Sequence, residues 1–367
     1  MGTITRSFAN NITSGGTFDA TDLTGTIPAS NIADASVTNI TDVPSLVATT
    51  TVSSDPPSPD VGQIWYNTTD KALRAYVLSS TAAWSTGGSL NSAKGGIEGT
   101  GTQTAAIATG GEIINTPTNE TELYNGTSWT EVNNLNTARG SGGMFGTQTS
   151  ALFADGGPPP VGLSVCESWN GTDWTEVNDL NNSRVGGGAA GADNTSGLYY
   201  GGYEPSPPQQ VIFTESWNGT SWTEVNDLNN GRVSGSGGGT QTSALYFAGY
   251  NYSPNVVGFT ESWNGTSWTE VGDLNTARYN TGGHGTDNTS AIVFAGDVVP
   301  GLTTATETWN GSSWTEENDM STARETPGAA GISTAALGFG GSNPTGPRLS
   351  ATEEFGFSNV TTDLGAS

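Results

Sequence analysis

An all-β fold assembled from six repeated four-stranded units is what this sequence predicts, and three residue series predict it. The first is a tryptophan series, Trp84, Trp129, Trp174, Trp222, Trp268 and Trp314, at intervals of 45, 45, 48, 46 and 46 residues. The second is an aromatic five residues before a series Trp, or where the next would follow: Tyr124, Trp169, Trp217, Trp263, Trp309 and finally Phe355. The third is a basic residue ten positions after each first-series tryptophan: Lys94, Arg139, Arg184, Arg232, Arg278 and Arg324. Units of this length that stack face on face make a propeller, in which each blade buries its faces against the next.

Within a unit the strands follow in order. A Gly-rich strand comes after the arginine, as in RGSGGMFG from Arg139. A turn at Thr147-Gln148-Thr149 leads into the apolar strand SALFADGG, and a variable connection follows. The third strand ends at the aromatic of ESW, Asn-Gly makes a turn, and TSWTEV is the fourth. Asn-Gly favours a two-residue type I′ hairpin, because both of its central positions need positive φ. That turn places Trp169 opposite Thr172 and Glu167 opposite Trp174, with the two indoles diagonal on one face. Large aromatics there would fill the space between sheets.

The markers also predict how the chain joins up. Phe355 has no fourth strand after it, while Trp84 has Ser79 where its third-strand aromatic would stand. Residues 82–90 are therefore expected to give the outer strand of a sixth blade whose other strands come from about 323–357. Such a clasp leaves no open edge. The expected organisation is an extended N-terminal segment (1–60), a β-hairpin and linker (61–81), the propeller (82–357) and a C-terminal tail (358–367).

Composition narrows the function. Ten basic against 35 acidic residues give a formal charge of −25, a field that repels phosphate backbones and anionic lipid. Nucleic acid is not expected as a partner. No apolar run approaches the ~20 residues of a membrane span, so no membrane insertion is expected, and MGTITRSFANNITSGG lacks the pattern of an export signal. A single cysteine, Cys166, excludes internal disulfides and cysteine-based zinc sites; it reads as a small buried residue.

Diglycines that close the second strand (Gly110-Gly111, Gly156-Gly157, Gly201-Gly202, Gly340-Gly341), followed by two spaced aromatics, resemble the kelch repeat. The resemblance covers about residues 82–357. Two units carry Ala248-Gly249 and Ala295-Gly296 instead, and the aromatics stand closer than in the usual kelch unit. The regular form ESWNGTSWTEVNDLNTAR is similar to repeats in structural proteins of marine bacteriophages. LTGTIPASNIADASVTNITDV (Leu23 to Val43) resembles low-complexity segments of phage tail fibres, and GQIWYNTTDKALRAYV (Gly62 to Val77) a short hairpin of the same proteins. The resemblance implies a virion structural protein, of tail-fibre or capsid-decoration type, that attaches through its N-terminal segment to other virion proteins or to copies of itself. It implies an adhesion module without catalysis, with passive decoration or a glycan-cleaving depolymerase as alternatives.

The residue inventory points the same way. Histidine occurs once, at His284 in GGHGTD, where an earlier repeat has Phe145, so triad chemistry has no partner set and a variable position of the Gly-rich strand explains it. A copper centre like that of kelch-containing galactose oxidase needs several histidines, and the sialidase box is not matched. The acids are mostly periodic: Glu122, Glu167, Glu215, Glu261, Glu307 and Glu353 form one series, and Glu131, Glu176, Glu224, Glu270 and Glu316 another. A catalytic carboxylate pair needs one special place, so these read as framework paired with the basic series; alternatively, that basic series lines a channel mouth and holds an anion. No catalytic residue, metal or cofactor is expected. The sequons at Asn125, Asn170, Asn218, Asn264 and Asn310 read as hairpin turns.

A ligand is expected on the second-to-third connections, which vary while NDLNTAR stays nearly constant. All contain proline (Pro117; Pro158 to Pro160; Pro205, Pro207 and Pro208; Pro254; Pro300; Pro344 and Pro347), which stiffens a loop and lowers the entropy lost on binding. Tyr203, Tyr250, Asn251 and Tyr252 cluster in two successive units and offer aromatic and amide groups to a host-surface glycan or protein.

Overall fold

The computed structural model describes residues 50–60, 62–114, 116–157, 162–205, 208–251, 255–343 and 347–364. Their regular structure is all β, with no helix among the described residues. The chain divides into two compact units, Thr81–Phe357 and a smaller one formed by Met1–Ser80 with Ser358–Ser367.

The larger unit contains five four-stranded antiparallel sheets, numbered here in chain order. Sheet 2 shows the pattern: Gly143–Thr147, Ser150–Ala154, Cys166–Trp169 and Trp174–Val177 pair in sequence order. Sheet 1 begins at Glu98, sheet 3 at Gly188, sheet 4 at Ser236 and sheet 5 at Gly282. A sixth set follows with Gly328–Ile332, Ala335–Phe339 and the first half of Thr352–Asp363. Its fourth strand is the end of Ala72–Thr86. Trp84 lies 5.3 Å from Phe355 between ring centroids, and Gly87 N donates to Thr352 O at 2.9 Å. The expected partnership between an early segment and a late one is present.

The first strands are glycine-rich because neighbouring sheets meet there backbone to backbone. A Cβ on Gly238 would stand 2.2 Å from the amide nitrogen of Gly285 in the next sheet, inside any tolerable contact. The second strands are buried on both faces; Ala151 to Ala154 have no exposed surface. The core is consequently divided into clusters, each drawn from two sheets. Phe145 and Leu152 of sheet 2, for example, pack with Tyr199, Trp217 and Trp222 of sheet 3.

The outer hairpin corrects the sequence reading. Trp169 pairs directly with Trp174, and Glu167 with Glu176, so the connection has four residues and the indoles are opposed, not diagonal. The cause is the asparagine. Asn170 Oδ1 accepts the amides of Thr172 and Asp173, both at 2.9 Å, and Gly171 takes φ +92°. An Asx turn of this kind uses the side chain where a two-residue turn would use backbone. The same aromatic contact recurs in all six sets, from Tyr124–Trp129 at 4.9 Å to Trp309–Trp314 at 5.6 Å.

Each fourth-strand indole also crosses to the preceding sheet. Trp174 Nε1 donates to Thr121 Oγ1, Trp268 to Thr214 and Trp314 to Thr260, each at 3.0 Å. Trp129 reaches Thr352, and Trp84 reaches Thr306. At Trp222 the acceptor position is the Cys166 sulfur, a poor acceptor that leaves the buried Trp222 Nε1 only weakly satisfied.

In the smaller unit Thr50–Val52 runs parallel to Ile64–Asn67, which forms a hairpin with Ala72–Ala75. Asp55 organises it, accepting from Arg74 at 2.6 Å and from Trp65 and Asn67 at 2.9 Å. Arg74 above all, then Asn67 and Trp65, hold its carboxyl down to about 2.

Restoring a strong acceptor gives a test. Cys166→Thr should raise stability by about 0.5–1.5 kcal/mol, the worth of one buried hydrogen bond, measured by urea unfolding; an unchanged or lower midpoint contradicts this account of Trp222.

Candidate binding site

The basic series and the first glutamate series are framework. The second series, Glu131, Glu176, Glu224, Glu270 and Glu316, lies exposed on the outermost strands and makes no ion pair among the described residues, so its expected pairing with the basic series is overturned. Arg139 Nη1 lies 2.5 Å from Glu167 Oε1, Arg232 Nη1 2.7 Å from Glu261 Oε1, and Lys94 Nζ 3.0 Å from Glu122 Oε1. All six basic side chains of the series are fully buried. The second glutamate oxygen is taken by the linker; Glu167 Oε2 accepts both Asn136 N (2.7 Å) and Asn136 Nδ2 (2.8 Å). Cations enclosed and paired in this way cannot present themselves at a mouth, so the anion-holding alternative is overturned. A buried pair left half-broken is costly, which explains why each glutamate is copied together with its cation.

The non-repeated chemistry gathers elsewhere. Just before each first strand one residue adopts left-handed backbone: Gly96, Ser141, Gly186, Ser234, Asn280 and Thr326, with φ between 49° and 70°. Left-handed φ is strained for a β-branched residue such as Thr326. The strain is offset by hydrogen bonding: Ser141 N donates to Gly96 O, Gly186 N to Ser141 O, Ser234 N to Gly186 O, Asn280 N to Ser234 O and Thr326 N to Asn280 O, at 2.7 to 3.0 Å. Gly96 N in turn donates to Thr326 O at 3.1 Å.

These six residues line two adjoining cavities, of about 110 and 520 Å³. The wider one has unlike walls. Tyr203, Val185 and Val233 supply apolar surface; Glu112, Glu325, Asn280, Ser342 and Arg348 supply polar groups. Arg348 Nη2 holds Glu112 Oε2 at 3.1 Å. Asn280 Nδ2 donates to Asp297 Oδ2 at 3.1 Å and to Glu325 Oε2 at 3.3 Å. Burial first, and then the neighbouring Asp297, push the Glu325 carboxyl above its ordinary range.

The narrow cavity is lined by Glu98 and His284. Burial drives the Glu98 carboxyl well above its usual range. Burial lowers the His284 imidazole, opposed by the Gly331 carbonyl beside it. Among the described residues no group of three or more His, Cys, Asp or Glu could hold a metal ion.

The residues singled out in the sequence divide. Tyr203 lines the wide cavity. Tyr250 is not among the residues lining it, and its ring lies 5.5 Å from that of Tyr279. Asn251 Nδ2 is turned to Gly231 O at 3.1 Å, which holds the loop. Tyr252 lies outside the described residues. Glu98, Glu112, Glu325 and Arg348 were missed, and their signal was present: each departs from its counterparts in the other repeats. Cys166 is no nucleophile, since burial pushes its thiol up to about 12.

No known family model matches the chain, and no curated protein matches it significantly.

One buried acid yields a pH prediction. Asp155 accepts from Tyr199 Oη at 2.5 Å, and burial raises its carboxyl well above the ordinary value despite Tyr199, the charge of Arg184 and the amides of Gly156 and Arg184. The folded state therefore favours the protonated form, and stability falls as pH rises from the unfolded value near 3.8 toward the raised folded value. Asp155→Asn removes the titrating group. The variant should be more stable than the parent at pH 7, with the gap closing below pH 4, in unfolding titrations across pH; a gap that widens in acid contradicts it.

Proposed function

We propose that the six sets of strands close into a six-bladed, kelch-like β-propeller and that the chain is a non-catalytic binding module of a bacteriophage particle. Closure is supported by bonds that repeat between consecutive sheets and also join the first to the sixth. Gly96 N to Thr326 O, Trp129 Nε1 to Thr352 Oγ1 and Gln103 Nε2 to Phe355 O (2.7 Å) each copy a contact made elsewhere by an equivalent pair. An apolar cluster of Leu90, Ile97 and Tyr124 with Leu337 and Phe339 fills the same junction.

The binding reading rests on one observation. The basic series and its glutamate partners are enclosed and paired, the other repeated acids lie exposed on the outer strands, and the unrepeated Glu112, Tyr203, Glu325 and Arg348 converge on a cavity of about 520 Å³. A rigid frame with variation confined to one concave surface is the arrangement of a recognition site. The virion setting rests on the sequence resemblance. In that setting the N-terminal segment attaches the module to other virion proteins and the cavity faces a host-surface glycan or protein.

Purified protein should bind host cells, and Tyr203→Ala should weaken binding at least tenfold, the loss of one aromatic contact of about 1.4 kcal/mol or more, while the melting temperature is retained. Absence of cell binding would favour passive decoration. Release of reducing ends from host glycan would overturn the non-catalytic reading.

A further inference from the structure

The narrow cavity adjoins the wide one through the same six left-handed residues. Two ionisable side chains in it break the repeat. Where Glu98 stands, the other units have Gly143, Gly188, Ser236, Gly282 and Gly328; where His284 stands, they have Thr100, Phe145, Ala190, Gly238 and Ala330. The repeated third-strand glutamates all have a cation within 3.0 Å. Glu98, by contrast, has no hydrogen bond or ion pair among the described residues.

His284 is held by the frame. Its Nε2 lies 3.4 Å from Thr100 Oγ1, whose own proton goes to Gly146 O at 2.8 Å, and the Gly331 carbonyl accepts from the ring. Its Nδ1 is fully buried and does not open onto the cavity. Glu98 is thus the ionisable group of the narrow cavity, among the described residues, that the frame leaves unpaired.

Taking the wide cavity as the binding site proposed above, we infer that the narrow cavity receives a primary ammonium group, and that the ligand is an amino sugar with a free amine whose ring occupies the wide cavity. An ammonium group brings three donors and the positive charge that Glu98 lacks. A metal ion fits less well, because no third ionisable ligand converges there among the described residues. The wide cavity suits a sugar ring, with Tyr203 as a face to stack on and with Ser342, Glu112 and Arg348 as polar groups for hydroxyls.

Titration calorimetry of the full chain with glucosamine, N-acetylglucosamine and glucose near neutral pH tests this. Glucosamine should bind at least tenfold more tightly than the other two, and Glu98→Gln should abolish the preference with the melting temperature unchanged. If that variant does not fold, Glu98→Ser, which copies the residue of the equivalent position 236, replaces it. Equal binding of the three sugars, absence of binding, a preference that survives in the variants, or tighter binding of Nα-acetyl-lysine amide would overturn the inference. Host-cell adhesion by Glu98→Gln equal to the parent's would overturn it while leaving the proposed adhesion intact.

Discussion

The tilted contact between the third-strand aromatic and the fourth-strand tryptophan is the constraint on which the rest depends. Opposed across a hairpin, two rings at about 5 Å fill a width that no pair of aliphatic side chains could. That wedge holds the outer parts of neighbouring sheets apart while the glycine-rich first strands come together at backbone distance. Thick outside and thin inside, each sheet must turn relative to the last. The indole N–H then fixes the amount of turn, since it reaches one threonine on the preceding sheet.

Buried charge fits the same logic. A glutamate and an arginine enclosed together cost desolvation that hydrophobic residues would avoid. What the pair provides is direction: one carboxylate oxygen meets the guanidinium and the other grips the linker asparagine, so the chain leaves one sheet and enters the next along one path. With connection and packing both fixed, the unit can be copied. The remaining freedom lies in the second-to-third connections and in the residues around the two cavities, where substitution leaves the frame intact.

Much of this was legible in the sequence. The spacing of Trp84 through Trp314 located the fourth strands, and the mismatched ends at Trp84 and Phe355 identified the segments that pair. The hairpin register was not legible, because Asn-Gly satisfies two turn geometries and only the Asn170 side-chain bonds choose between them. The site was read in part. Tyr203 was found from its loop, but Asn251 has an amide that the scaffold uses, and composition cannot tell a free amide from a spent one. Glu98 escaped notice because the repeat markers register only shared positions; its half-buried place in the narrow cavity arises from strands far away in the chain.

The claim that the same indole wedge works at the join between residues 82–86 and 352–357 is tested most directly by equilibrium unfolding of Trp84→Ala. The account predicts one cooperative transition with a loss of about 2–4 kcal/mol, somewhat less than for a fully buried tryptophan because Trp84 is half-buried. A loss below about 1 kcal/mol, within the range of ordinary surface changes, would contradict it.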